Sequence, residues 1–280
     1  MRPKVIAAID SSAAARGVLS VADAVAATLF DGDVEALHVR DDSGQTARRA
    51  ADEADEAGIP LRIEKGPTVT SIVHASSAPE VAAVIVGSKS KRDGPRPAGH
   101  TALAIMTSVE KPLFAVPPDI RLPYVLKKLL VPLDASGASA AAARETFLLG
   151  YNSGLDMVVL HVHDLDTVPM FDDHPQHETR AWIDEFVARN CPASVDVAIE
   201  LRLGTAHHRV LEVAQETGAD LIVLGWAQDL SAGRAVIVRE TLRNSEVPVL
   251  LLPRIAHPGG RGDPERDVIR LGSGSARSWG

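Results

Sequence analysis

Cysteine is almost absent from this sequence of 280 residues. The one cysteine, Cys191, cannot form a disulfide within the chain, which is typical of proteins of the reducing cytoplasm. Long apolar runs are also absent: none approaches the roughly 18 residues of a membrane helix, and the run Val5–Ile9 is too short for the core of a signal peptide. Positive charge is not in excess, because the formal net charge is −8. We therefore expect a cytoplasmic protein whose main partner is neither a membrane nor a nucleic acid.

The familiar motifs of enzymes are missing too. The sequence has no Gly-x-Ser-x-Gly nucleophile loop, no Walker phosphate loop and no His-Glu-x-x-His metal motif. We expect no enzymatic activity. Nucleotide hydrolysis is a weaker alternative, because no residue pattern identifies a base or a group that positions water.

An internal repeat is present. An apolar run that ends at Asp10 returns 124 residues later as a run that ends at Asp134. The triplet Leu-His-Val around His38 returns around His161, and further matches follow in the same order. The sequence therefore predicts a tandem duplication of a unit of roughly 120 residues.

Strand-like and helix-like segments alternate within each unit. The first, fourth and fifth apolar runs of the first unit are continuous, as expected for strands covered by helices on both faces. One apolar stripe with helical spacing follows the first strand: Val18, Val21, Ala22, Val25 and Leu29. The alternation predicts two tandem, doubly wound, five-stranded parallel sheets with right-handed crossovers. The predicted strands are 5–9, 34–39, 61–64, 82–86 and 113–116, then 129–133, 157–162, 195–201, 221–224 and 249–252.

Prolines mark the seam between the units. Three of them lie between Pro117 and Pro123, which disfavours a helix or a central strand there. We therefore divide the chain into a first domain at 1–117, a proline-rich linker at 118–126 and a second domain at 127–253. The last residues, 254–280, lack periodicity and are rich in glycine and proline, which predicts a flexible tail.

A ligand site is predicted where the winding of the sheet reverses. In open parallel sheets the ligand crevice lies beyond the carboxyl ends of the strands at this point. With a strand order of 3-2-1-4-5, the reversal lies between the first and fourth strands. Asp10 and the loop 87–101 follow these strands in the first unit, and Asp134 and the loop 225–234 follow them in the second.

Taken together, these features resemble a tandem universal stress protein over the whole chain except the tail. The matching positions of the two units are Asp10 and Asp134, Gly66 and Gly204, Gly87 and Gly225, and Pro112 and Pro248. The resemblance implies a Rossmann-like fold of the adenine-nucleotide α-hydrolase type in each unit. It also implies a role as a stress-response binding or regulatory module.

Family members that bind ATP share a loop of the form Gly, two residues, Gly, nine residues, then Gly with Ser or Thr. Bare backbone N–H groups of such a loop wrap phosphates at a helix N-terminus. The first unit keeps the loop length but has Ser90 and His100 at the second and third glycine positions. The resemblance implies a site for ATP or AMP at Asp10, Gly87, Ser88, Lys89, Ser90, Lys91, His100 and Thr101. The alternative is a solvated loop that binds no nucleotide.

The second unit departs further from this motif. Its loop is shorter, Gln228 stands at the second glycine position, and Trp226 follows Gly225 directly. Arg234 is the only cation near the start of the next helix. We interpret Asp134, Gly225, Trp226 and Arg234 as a vestigial pocket that the Trp226 indole fills.

An aspartate at the end of the first strand has two possible roles. The resemblance gives Asp10 and Asp134 the position of the acid that contacts adenine, whereas an aspartate there also caps the following helix. We favour capping for Asp134 and leave both roles open for Asp10.

The distribution of charge favours the first unit as the anion site. Residues 1–124 carry a net charge of −2, residues 125–253 carry −8 and the tail carries +2. The loop 89–96 contains four Lys or Arg residues and one acid, Asp93. The favoured interpretation is a binding or regulatory module with a degenerate ATP motif in both units, and the alternative is an adenine-nucleotide sensor that binds its ligand in the first unit only.

Histidines occur close together in the second unit but do not predict a metal site. His161 and His163 share one face of a strand, and zinc binds histidine. However, His38 holds the position of His161 in the first unit, which favours a structural role for both. We expect no metal site and leave the role of the histidine-rich segment 161–177 open.

The resemblance further implies that the two units pair through their fifth strands. We expect 112–117 and 247–252 to meet at an intramolecular pseudo-twofold interface, since an exposed apolar edge strand promotes aggregation. A further homodimer and an unidentified protein partner are left open.

Overall fold

The computed structural model describes residues 2–40, 45–89, 97–133, 146, 149–163, 185, 197–231 and 235–253. The strands of the first half are β1 (Lys4–Ala8), β2 (Asp33–Arg40), β3 (Leu61–Lys65), β4 (Val81–Gly87) and β5 (Leu113–Val116). Those of the second half are β6 (Lys128–Leu133), β7 (Asp156–His163), β8 (Ala198–Leu203), β9 (Leu221–Trp226) and β10 (Val249–Pro253).

Six α-helices have both of their ends in the described ranges. They are α1 (Ala15–Val25), which continues as a π-helical turn (Ala26–Phe30), α2 (Gln45–Glu56), α3 (Thr68–Ser76), α4 (His100–Ser108), α5 (Ala206–Thr217) and α6 (Val236–Asn244). All five residues of the predicted apolar stripe are buried, four of them on α1 and Leu29 in the π-helical turn, which confirms the helical spacing. Among the described residues, no helix has the length and apolar character needed to cross a membrane.

All ten strands form one sheet with the order β3-β2-β1-β4-β5-β10-β9-β6-β7-β8. Each half has the predicted order 3-2-1-4-5 with parallel neighbours, so the α/β fold class is confirmed. The strand β8 lies further along the chain than predicted, at Ala198–Leu203 instead of 195–201. It pairs with β7 up to His163, and Gly204, with a φ of +119°, follows its last residue.

Helices cover both faces of the sheet and create two buried clusters. On β1, Val5 and Ala7 belong to the cluster that contains α1, and Ile6 belongs to the cluster that contains α4. Successive residues of a strand point to opposite faces, and here both faces are apolar. The continuous apolar runs in the sequence follow directly from this burial on two sides.

The two halves join through their fifth strands, as predicted. β5 and β10 pair antiparallel, with Phe114 opposite Leu250 and Ala115 opposite Val249. Phe114 is fully buried and shares a cluster with Leu250. Pairing the two fifth strands converts two apolar edges into the centre of a continuous sheet.

The linker 118–126 is bonded to both halves. The Tyr124 backbone N–H donates to Ser20 Oγ on α1 at 2.9 Å, and the Tyr124 hydroxyl donates to the Asp220 carbonyl before β9 at 2.8 Å. Burial raises the pKa of Tyr124, with a smaller contribution from the charge of Asp220. The Asp220 carboxylate accepts the backbone N–H groups of Lys127 and Lys128, each at 2.9 Å. The domain boundaries at 117, 126 and 253 stay predictions, and the predicted tail 254–280 lies outside the described residues.

Candidate functional site

A cavity of about 400 Å³ opens at the carboxyl ends of β1, β2 and β4, where the winding of the first half reverses. Its volume lies in the range typical of sites for small molecules. The polar residues that line it are Asp10, Ser12, His38, Thr68, Ser88, Lys89, His100 and Thr101. The apolar wall includes Leu37, Val39, Ile72, Val86 and Ile105.

The structure brings six of the eight predicted site residues of the first half together around this cavity: Asp10, Gly87, Ser88, Lys89, His100 and Thr101. Ser90 and Lys91 lie outside the described residues. Their role in binding a ligand stays a prediction.

Asp10 forms a tight turn before α1. Its Oδ1 accepts the Ser12 backbone N–H at 2.9 Å, and Ser12 Oγ accepts the Ala14 N–H at 3.3 Å. The first residues of α1 receive no side-chain cap at Ala14, so Asp10 shapes the approach to the helix and does not cap it directly. The Asp10 side chain remains exposed at the rim of the cavity.

The N-terminus of α4 faces the cavity. Gly99, the N-cap residue, is extended, and no side chain caps the helix. The Gly99 N–H donates to the carbonyl of Ser88 at 2.7 Å, which fixes the helix start beside the end of β4. The first N–H groups of an α-helix have no partner within the helix, and here His100 and Thr101 present them at the cavity wall.

Lys89 lines the cavity but also contacts the second half. Its Nζ donates to the backbone carbonyl of Arg243, in the last turn of α6, at 3.0 Å. A cation at this end of a helix interacts favourably with the helix dipole. Lys89 therefore lines the cavity and also takes part in the junction between the halves.

His38 and His161 make the same hydrogen bond in the two halves. His38 Nδ1 donates to the Ile9 carbonyl at 3.0 Å, and His161 Nδ1 donates to the Leu133 carbonyl at 3.1 Å. A carbonyl only accepts, so each Nδ1 carries the proton. Both rings are buried and tie the end of the second strand to the end of the first, which confirms their predicted structural role. Within the described ranges, no group of three or more His, Cys, Asp or Glu side chains could hold a metal ion.

Several residues of the cavity wall were not among the predicted site residues, including His38 and Thr68. Ser12, Thr68 and Gly99 come from the turn before α1, the start of α3 and the N-cap of α4. Gly66 could have indicated the position of Thr68 in the sequence. Its φ of +133° suits glycine and allows the chain to turn from β3 directly into α3, which begins at Thr68.

The corresponding region of the second half differs in side-chain volume. Trp226 ends β9 at the position of Ser88 and is only 4% exposed, in a buried cluster with Val238 and Leu242 of α6. A large indole therefore stands where the first half has a hydroxymethyl group. Gly225 is exposed. Asp134 and Arg234, the other residues of the predicted vestigial pocket, lie outside the described residues.

Solved structures share this architecture across most of the chain. A universal stress protein from Archaeoglobus fulgidus DSM 4304 is 17% identical and aligns over 90% of this chain and 98% of its own, with a TM-score of 0.65. A functionally unknown protein from Pseudomonas aeruginosa PAO1 is 15% identical over 90% of this chain and 92% of its own, with a TM-score of 0.64. A putative universal stress protein from Pseudomonas aeruginosa UCBPP-PA14 is 15% identical over 90% and 93%, with a TM-score of 0.62. At these identities the similarity defines the fold, an α/β architecture with two units of this type.

A match to a sequence family covers the second half of the chain. Residues 126–253 match the model of the universal stress protein family. The chain therefore carries a universal stress protein domain at 126–253, and its first half repeats the same fold. Among curated proteins, none matches the sequence significantly.

Proposed function

We propose that this chain is a non-enzymatic stress-response binding module with one ligand site, in its first half, for an adenine nucleotide such as ATP or AMP. The observation that carries the proposal is the uncapped N-terminus of α4 at the wall of a cavity of about 400 Å³. The second half has no such site in this proposal and acts as a structural or regulatory partner.

The phosphate end of the ligand would lie against α4. Backbone N–H groups and the positive end of the helix dipole stabilise anions at an uncapped helix start. Ser88 and Thr101 add hydroxyl donors beside it. The His100 side chain is exposed, so it leaves the backbone of the first turn accessible to phosphate.

The base end of the ligand would lie against the apolar wall. Leu37, Val39 and Ile72 offer flat aliphatic contact for a purine. Asp10 stands exposed at the rim, and its carboxylate is an acceptor that suits the amino group of adenine. The cavity thus offers acceptors at one end and donors at the other, as an adenine nucleotide requires.

One site per chain follows from Trp226. Its indole is buried in a cluster that also contains Val238 and Leu242 of α6, and it takes the place of the small Ser88 of the first half. A bulky apolar group at this position excludes a charged phosphate, which needs hydrogen-bond donors and not an aromatic face. We therefore expect a stoichiometry of one nucleotide per chain.

Calorimetric titration of the full chain with ATP and with AMP tests the proposal. Thr101 is exposed in the first turn of α4, where a glutamate is compatible with the helix dipole. Thr101→Glu should therefore fold normally yet weaken ATP binding about tenfold or more, since like charges about 4 Å apart repel by about 1 kcal/mol in water and more at lower dielectric. Val236→Glu, at the exposed first residue of α6, places the same charge in the second half and should leave binding unchanged.

Two results would contradict the proposal. Absence of heat with wild-type protein at millimolar ATP and AMP would favour a protein-interaction module without a nucleotide. Two nucleotides per chain would contradict the role given to Trp226.

The non-enzymatic and cytoplasmic parts of the proposal rest on the sequence. No catalytic motif is present, and the single cysteine suits a reducing compartment. Incubation of the protein with ATP and Mg²⁺, followed by chromatography of the nucleotides, should return ATP unchanged relative to a protein-free sample. Turnover that Thr101→Glu abolishes would instead establish a hydrolase.

A further inference from the structure

Two side chains cross the junction between the halves and end at helix C-termini. From the first half, Lys89 Nζ donates to the Arg243 carbonyl in the last turn of α6. From the second half, Gln228 Nε2 donates to the carbonyl of Val109, the C-cap of α4, at 2.7 Å and more weakly to that of Met106 at 3.4 Å. The last carbonyls of a helix lack partners within it, so each contact satisfies groups that would otherwise be unpaired. We call these contacts the cross-junction straps.

Both straps begin in the loop that follows the fourth strand of a half. Lys89 lies two residues after Gly87, and Gln228 lies three residues after Gly225. Both end on the last helix of the opposite half, α6 or α4. The straps are therefore related by the approximate twofold symmetry of the β5–β10 pair, although their chemistry differs.

Gln228 has an unusual backbone conformation. Its φ is +55°, in the left-handed region that favours glycine and that a glutamine rarely adopts. The position therefore keeps the backbone shape of a glycine while carrying a long amide side chain. Strained positions of this kind persist when surrounding contacts hold them, and here the amide bonds two carbonyls of the other half.

The elements held by the straps are those that form the cavity. α4 is nine residues long, and its N-terminal residues Gly99, His100 and Thr101 line the cavity, while its C-terminal end is bonded to Gln228. A short helix moves as a rigid rod, so a restraint at one end acts on the other. Lys89 lines the same cavity and is held by α6.

We propose that the second half is the positioning partner of the ligand site: Gln228 sets the placement of α4 and α6 sets the placement of Lys89 at the cavity. Gln228 is thus a positioning residue for a site that it does not touch. The identity of the ligand in this inference rests on the proposed function. The effect of the straps on the positions of α4 and Lys89 does not, because the straps are present without a ligand.

Hydrogen exchange of the unliganded full chain, followed by mass spectrometry, tests the strap directly. Gln228→Glu keeps the side-chain size and replaces the donor by an acceptor that faces two carbonyls. Peptides covering the cavity end of α4, residues 99–105, should exchange about threefold to tenfold faster, the range expected for loss of one hydrogen bond. Gln215→Glu on the exposed face of α5 is the matched control and should leave these peptides unchanged.

Lys89→Met tests the reciprocal strap, because it keeps the aliphatic stem and removes the charged donor. Peptides that cover the end of α6, residues 240–246, should exchange faster in this variant. Unchanged exchange at 99–105 in Gln228→Glu, or acceleration confined to residues after Ile105, would overturn the proposal.

Calorimetry with ATP on the same variants separates this proposal from the proposed function. Gln228→Glu should weaken ATP binding at least threefold, and Gln215→Glu should not change it. If the wild-type chain binds no nucleotide, the proposed function is wrong. Hydrogen exchange at residues 99–105 of Gln228→Glu still tests whether Gln228 positions α4. Faster exchange with unchanged ATP affinity would show that α4 moves without consequence for the site, and would overturn the positioning role.

Discussion

Replacement of Phe114 by alanine should destabilise both halves of the chain. Phe114 is fully buried at the centre of the β5–β10 junction, directly opposite Leu250. Removal of a buried phenylalanine ring costs about 3–5 kcal/mol in lost transfer free energy and cavity formation. For a chain of this size we expect the melting temperature to fall by roughly 6–20 °C, at about 2–4 °C per kcal/mol.

The distribution of tryptophan provides an assay that reads the effect across the junction. All three tryptophans, at 182, 226 and 279, follow the linker, and the first half has none. Urea unfolding followed by tryptophan fluorescence therefore reports on the second half, whereas Phe114 lies in the first. We expect Phe114→Ala to lower the midpoint of this fluorescence transition.

A double-mutant cycle with Leu250→Ala isolates the contact across the junction. Residues in direct contact typically show coupling free energies of about 0.5–3 kcal/mol. Leu203→Ala, at a half-exposed position on the outer strand β8, is the control and should change stability by no more than about 0.5 kcal/mol. A fluorescence midpoint that Phe114→Ala leaves unmoved, or strict additivity with Leu250→Ala, would refute the view that the two halves share one core.

Two further predictions concern the linker. Tyr124→Phe removes the hydrogen bond to the Asp220 carbonyl and should cost about 1 kcal/mol at pH 7. Because burial raises the pKa of Tyr124, its stabilising effect is complete below the unfolded value of 10.0 and is lost as pH rises above it. Urea unfolding at pH 7 to 11 should therefore show that the difference in free energy of unfolding between wild type and variant decreases above pH 10. A difference that stays constant with pH would contradict this. Gly17→Ala places a Cβ 2.6 Å from the Ile120 Cγ2 atom, so it should destabilise the chain by about 1–3 kcal/mol in thermal unfolding. Addition of Ile120→Ala should recover part of that loss, and no recovery would argue against the clash.

The strands and the helical faces could be predicted from local sequence patterns. Continuous apolar runs such as Val5–Ile9 indicate strands buried on two sides, and the recurrence of His38 as His161 aligns the two halves. The length of β8 was less predictable, because an edge strand takes its register from the neighbouring β7 and its end from the backbone at Gly204.

The candidate site could be predicted in part. Asp10, Gly87 and Ser88 follow strands whose carboxyl ends meet at the switch point, so topology alone brings them together. Thr68 was missed, because its proximity to the cavity depends on how α3 packs on the sheet. No local pattern carries that information.

The sequence by itself determined that this chain is a tandem α/β protein with a universal stress protein domain at 126–253, because strands buried on both faces of a sheet appear as continuous apolar runs in each unit. Only the tertiary structure decided which side chains of one unit bond helix ends of the other. Lys89 and Arg243 are 154 positions apart, and Gln228 and Val109 are 119 apart. Hydrogen bonds between such distant residues arise because strand pairing at the junction sets the relative placement of the helix ends. The local sequence pattern does not contain this information.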